Sequence, residues 1–228
     1  MAITLGNVTF DHAHTAALES HDEVGGRDGR RIRISGLILG QPSLTAIHEQ
    51  LDAILDAASA DEYNAALSLR PGRRMWVRRE EFERAVANDA LVGSFQLVLE
   101  AKDPHEESVA EIALNWTIDA SGDTLSVTAM GNVFSEPRIT LTAVGDLVNP
   151  ALSDGTRQIA YSGTALAGSV LVFDGPAKSV RLNGDDVTPY ATGEFPTIAP
   201  EGTVLTFFDD TASAHQAQAV VAFRDRWW

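Results

Sequence analysis

The sequence predicts a mainly β protein with one or two short helices, on three observations. Apolar residues alternate with polar ones in short runs over most of the chain. Clusters of Gly, Pro, Asp and Asn interrupt those runs at close intervals, and only one segment repeats its apolar residues at helical spacing.

The first run, Ile3 to Phe10, alternates as a half-buried strand. Asp11 to Asp22 reads as loop, with a strand through Ala16 to Ser20 as the alternative. A turn cluster from Val24 to Arg30 leads into the clear strand Arg31 to Leu39, in which Gly36 suggests a bulge. Ser43 then offers an N-cap, and Leu44, Ile47, Leu51, Ile54 and Leu55 recur at helical spacing to about Ala58. Ala65 to Leu69, a turn at Arg70-Pro71-Gly72-Arg73, and Met75 to Arg78 read as a hairpin. Glu80 to Asn88 fits a strand followed by loop, and Phe95 to Ala101 alternates again before Pro104 ends the ladder.

From Ile112 onward eight short runs alternate: Ala113–Ile118, Leu125–Met130, Arg138–Val144, Arg157–Tyr161, Ser169–Phe173, Ser179–Leu182, Val204–Phe208 and Ala219–Phe223. Turn clusters at Ser121, Ser153, Asp174, Asn183 and Pro200 separate them, as in an antiparallel sandwich or jelly roll.

Composition narrows the function. Of the 228 residues 44% are hydrophobic, enough for a packed core, and there is no cysteine, which excludes disulfides, thiolate metal sites and thiol catalysis. The net charge is −15; up to His105 stand 11 basic and 16 acidic residues, and after it 6 and 16. Binding to duplex nucleic acid calls for the opposite sign. Met1 to Gly6 has neither the basic nor the apolar region of a signal peptide, and no apolar run approaches the roughly 20 residues of a membrane span. The expectation is therefore synthesis in the cytoplasm and no membrane partner.

Candidate chemistry is sparse. His12 and His14, with His21 and Asp22 nearby, could hold a metal if they shared a strand face, but the segment reads as a surface loop. His48 and His215 stand without partners. The acid pairs Glu80-Glu81, Asp185-Asp186 and Asp209-Asp210 are neighbours in sequence; on a strand they point to opposite faces, so they read as solvated edges rather than a glycosidase pair. No nucleophile elbow, phosphate loop or dinucleotide fingerprint occurs. Catalytic, cofactor and metal residues are accordingly none, and no cofactor is expected. Arg27, Arg30, Arg31, Arg33, Arg70, Arg73, Arg74, Arg78 and Arg79 bracket the helix with only Trp76 among them, too few aromatics for a single-strand groove. Two readings stand side by side: ion pairs to acids of a neighbouring subunit, and plain surface charge. The terminal Arg224-Asp225-Arg226-Trp227-Trp228 is expected to pack its tryptophans on the fold or on a partner.

An ordered set of local patterns resembles the distal tail proteins of siphoviruses. Arg31 to Gly40 followed at once by a helix, and Phe95 to Ala101 running into Asp103-Pro104, are similar to that family's first domain. Gln158 to Gly163, Gly168 to Asp174, Ser179 to Gly184, Gly193 to Pro196 and Pro200 to Gly202 follow the order of its second. The resemblance implies a tail-tube-like, ring-forming domain over residues 1–108, a β-sandwich or split barrel. It implies a galectin-like sandwich over 109–228. It also implies a structural, non-enzymatic role at the virion tail tip: a homohexameric ring joining the tail tube protein to the tip hub protein, with receptor-binding proteins as further partners. DNA would pass through the ring without specific binding. A carbohydrate-binding module for host adhesion is the alternative.

Overall fold

The computed structural model describes residues 2–10, 18–23 and 29–228, with backbone alone for 18–23. The chain forms two compact units, Met1–Val109 with Trp228, and Ala110–Trp227.

In the first unit the strands are β1 (Ile3–Leu5), β2 (Val8–Phe10), β3 (Leu18–Glu23), β4 (Arg30–Ile38), β5 (Ala65–Ser68), β6 (Arg73–Ala87), β7 (Val92–Ala101) and β8 (Glu106–Ser108). They build an antiparallel sheet in the order β2-β1-β5-β6-β7-β4-β3, with β8 against the start of β6. Its helix, α1 (Leu44–Asp56), starts where Ser43 accepts a hydrogen bond from the Ala46 N–H at 3.2 Å. Ile47, Leu51 and Ile54 fall on one face and are buried with Ile32, Ile34, Leu67, Met75, Val77, Leu97 and Leu99 of the sheet.

The longest strand, β6, contains a bulge between Arg79 and Glu81. Before it Met75 and Val77 are buried; after it Phe82 and Val86 turn to the core. The extra residue reverses which parity faces inward. For that reason Glu80 to Asn88 lacks a single alternation in the sequence, and the expected loop is instead continuous strand as far as Ala87. The expected loop before Asp22 likewise contains β3, paired along β4.

The second unit places β9 (Ile112–Ile118), β10 (Thr124–Val127), β11 (Arg138–Ala143), β12 (Leu147–Val148), β13 (Ala151–Ser153), β14 (Gln158–Tyr161), β15 (Thr164–Ala165), β16 (Val170–Asp174), β17 (Ser179–Leu182), β18 (Asp185–Asp186), β19 (Ala191–Gly193), β20 (Thr203–Phe208) and β21 (Ala217–Phe223). Two antiparallel sheets result, β18-β17-β16-β11-β21-β9 and β10-β20-β13-β14-β19, beside a β12-β15 ribbon. Their inner faces share one core: Trp116, Ile139, Leu141, Leu171, Phe173 and Val221 from the first meet Val127, Leu152, Ile159, Leu205 and Phe207 from the second. Between β17 and β18, Asn183 (φ 52°) and Gly184 (φ 93°) form the two-residue turn whose twist suits a hairpin.

Gly93 permits the approach of α1 to the sheet, because a Cβ there would lie 2.6 Å from Cγ2 of the buried Ile47. Gly93→Ala is expected to destabilise the protein by about 1–3 kcal/mol, read as a lowered urea midpoint. An unchanged midpoint would show that the helix seat is looser than the packing implies.

Candidate assembly surfaces

The arginines of the first unit do not wait for a neighbour. Arg31 grips Glu80 with two bonds, Nε to Oε2 at 2.7 Å and Nη2 to Oε1 at 2.6 Å. Arg78 bonds Glu100 at 2.7 Å, and Arg74 bonds Glu107 at 2.9 Å. Arg70 reaches Glu106 at 2.8 Å, with Arg73 at 3.6 Å. Arg79 donates to the carbonyl of Leu55 in the last turn of α1, where a cation is favoured, and Arg84 pairs with Asp52 of the helix. These arginines thus already have acidic or carbonyl partners within the unit. Arg33 is exposed, and Arg27 lies outside the described residues.

Strand register explains the network. Arg78 of β6 and Arg31 of β4 both stand opposite Glu100 of the intervening β7, and the bulge residue Glu80 comes within reach of Arg31. The Arg78 hydrogen bond holds the Glu100 carboxyl below the usual carboxylate range, against partial burial. Tyr63, whose ring lies 5.1 Å from the Arg78 guanidinium, is raised above the ordinary phenol value by burial and by its bond to Glu100. Beyond the bulge the same face holds Glu81 and Glu83 with no cation bonded to them, beside a shallow groove lined by Ser35, Ala85, Ser94 and Gln96.

Glu106 is the most buried of the first unit's paired acids among the described residues, with a side chain 1% exposed. It fastens β8 to the turn before β6, and Val109 continues that hold by donating to the Gly72 carbonyl at 2.9 Å. Trp76 is exposed, flanked by the Arg74 guanidinium and bonded to Glu107. Trp228 stacks edgewise on His105 with ring centroids 4.7 Å apart while remaining 56% exposed, and Trp227 is half-buried.

In the second unit two acids have roles the sequence reading missed. Asp209, expected in a solvated turn, has a fully buried carboxylate whose Oδ1 lies 2.6 Å from Nδ1 of His215, so that histidine has a partner after all. Asp210 accepts from the Asn149 amide at 2.7 Å. Asp154 collects the N–H groups of Thr156 (2.8 Å), Arg157 (2.6 Å) and Thr197 (2.9 Å). Burial alone would raise its carboxyl, but these three donors outweigh burial and hold it below the usual range. The sequence signal for Asp154 was present in the Ser153-Asp154-Gly155 turn; the bond from Thr197 was not readable.

His48 is exposed on α1, and Asp185 and Asp186 lie on an exposed edge. His12 and His14 lie outside the described residues, as do the side chains of His21 and Asp22. Among the described residues no group of three or more His, Asp or Glu side chains is arranged to hold a metal ion.

Residues 130–227 match the family model of the siphovirus-type tail component, C-terminal domain. Over that stretch the second unit is similar to the siphovirus-type tail component family. The structure of the SPP1 Dit protein, described as a paradigm of hub adsorption apparatus in Gram-positive infecting phages, superposes with a TM-score of 0.69 at 11% identity. The match covers 100% of this chain and 99% of that one, so the likeness of fold extends over both units. Comparison with curated proteins gives no match. The turns at Asp174, Asn183 and Pro200 all fall in the matched stretch.

Asp154 gives the protein a predictable pH response. A carboxyl held below its unfolded value contributes stability that is present above the unfolded range and lost as pH falls through the folded value. Asp154→Ala is expected to cost about 1–3 kcal/mol near neutral pH, because three donors lose their acceptor. In urea titrations at falling pH the gap between parent and variant should close below the ordinary aspartate range. Parallel curves would refute this.

Proposed function

We propose that this protein is a viral tail component that assembles as a homohexameric ring at the virion tail tip, joining the tail tube protein to the tip hub protein and offering a site to receptor-binding proteins. Its role is structural and non-catalytic. The observation that supports this most is the end-to-end likeness of fold to SPP1 Dit, together with the family match of the second unit. We further propose that the first unit is the ring-forming, tail-tube-like domain and the second a galectin-like sandwich projecting from it.

The charge pattern suits a ring through which DNA passes. Six copies carry six times the −15 of one chain, and the arginines beside α1 are occupied by acids of their own unit. A predominantly acidic lumen repels phosphates and keeps passage fast.

Light scattering on the purified chain is expected to give six times 24.4 kDa, with rings in electron micrographs. A monomer at every concentration, with no ring density at the end of the tail tube in particles, would overturn the proposal. Duplex DNA should show no retention by the ring at physiological salt; an arginine-lined channel that holds DNA would end the lumen idea.

A further inference from the structure

The sandwich of the second unit has four strand edges, and three of them are blunted. β18 consists of two exposed aspartates, β19 is three residues long and ends on Gly193, and β10 has four residues. Short or charged edges discourage pairing with another chain. The fourth edge, β9, has none of these features. It runs for seven residues, Ile112-Ala113-Leu114-Asn115-Trp116-Thr117-Ile118, without a charge, a proline or a glycine. All seven pair in continuous register with β21 and, among the described residues, with no other strand.

Such an edge presents a row of backbone donors and acceptors along its free side. Its buried face ends in Trp116 and Ile118, while Ile112 and Leu114 are only half covered. An added strand would complete that cover. Acids flank the uncharged stretch at both ends, Glu111 and Asp119, each exposed. The unit around them is itself strongly acidic. A second copy pairing antiparallel about Asn115 would set Glu111 against Asp119 at both ends, which is unfavourable.

We infer that β9 is a strand-addition site for a partner protein that supplies an extended segment, uncharged and alternating at its centre and basic at its ends. Backbone hydrogen bonds give the pairing, apolar side chains meet Ile112 and Leu114, and the basic ends meet Glu111 and Asp119. The inference does not rest on the ring, since its observations all lie within one chain.

The test uses the full chain and a fluorescent peptide of alternating threonine and valine, with arginine at one end and lysine at the other. Anisotropy should rise on titration, and amide exchange should slow across residues 112–118. A peptide with glutamates at both ends should bind about tenfold more weakly. Combining Glu111→Gln with Asp119→Asn should remove that difference while leaving the fold intact. Equal binding by a copy of the peptide N-methylated along its bonding edge would overturn the inference. So would protection elsewhere, or protection of 112–118 that grows with the concentration of the protein alone and identifies a second copy as the occupant.

Discussion

One extra residue in β6 organises the first unit. Without the bulge at Glu80, the parity that turns Met75, Val77 and Arg79 inward would go on to turn Glu81 and Glu83 inward, and Phe82 away from the core. The inserted residue brings Phe82 and Val86 to the core side that Met75 and Val77 face before it, with Arg79 and Arg84 reaching α1 from that side. It also brings a carboxylate onto the opposite face next to Arg31. Core continuity and the charge network across β6, β7 and β4 thus share a cause. The bulge costs a break in the ladder, which the double bond from Arg31 helps to offset.

That network changes the meaning of the arginine cluster. In sequence nine arginines around a helix suggest a surface waiting for acids. In the folded unit the acids come from nearby strands, and the rest of that sheet face mixes the exposed Arg33, the acids Glu81 and Glu83, and the small or neutral Ser35, Ser94 and Gln96. The second unit carries a larger negative excess but concentrates its backbone satisfaction in single carboxylates such as Asp154, which does the work of three separate partners.

The sequence made legible whatever depends on neighbours in the chain. Ser43 announced α1, the alternation of Arg31 to Leu39 announced β4, and Asn183-Gly184 announced its hairpin, since capping, pleat and turn geometry are local. Other elements were hidden for physical reasons. β13 is buried at all three residues and so does not alternate, β12 and β15 are two residues each, and the bulge cancels the period of β6 midway. Contacts between distant residues were equally invisible: Arg31 and Glu80 lie 49 positions apart, and His215 needed the fold to find the buried Asp209. The order of turns from Gln158 to Gly202 told more about kinship than any side chain did, because turn chemistry records backbone shape directly.

The fastening of β8 has a mechanical meaning. Residues 106–109 leave the first unit bound to the segment from Arg70 to Arg74 by ladder bonds, by the contacts of Glu106 and Glu107 with three arginines, and by the hydrogen bond of Val109 to Gly72. A pull on the chain beyond Ala110 meets these bonds acting in parallel, not one swivelling peptide. Load is divided among several weak springs, and the loss of any one leaves the rest engaged.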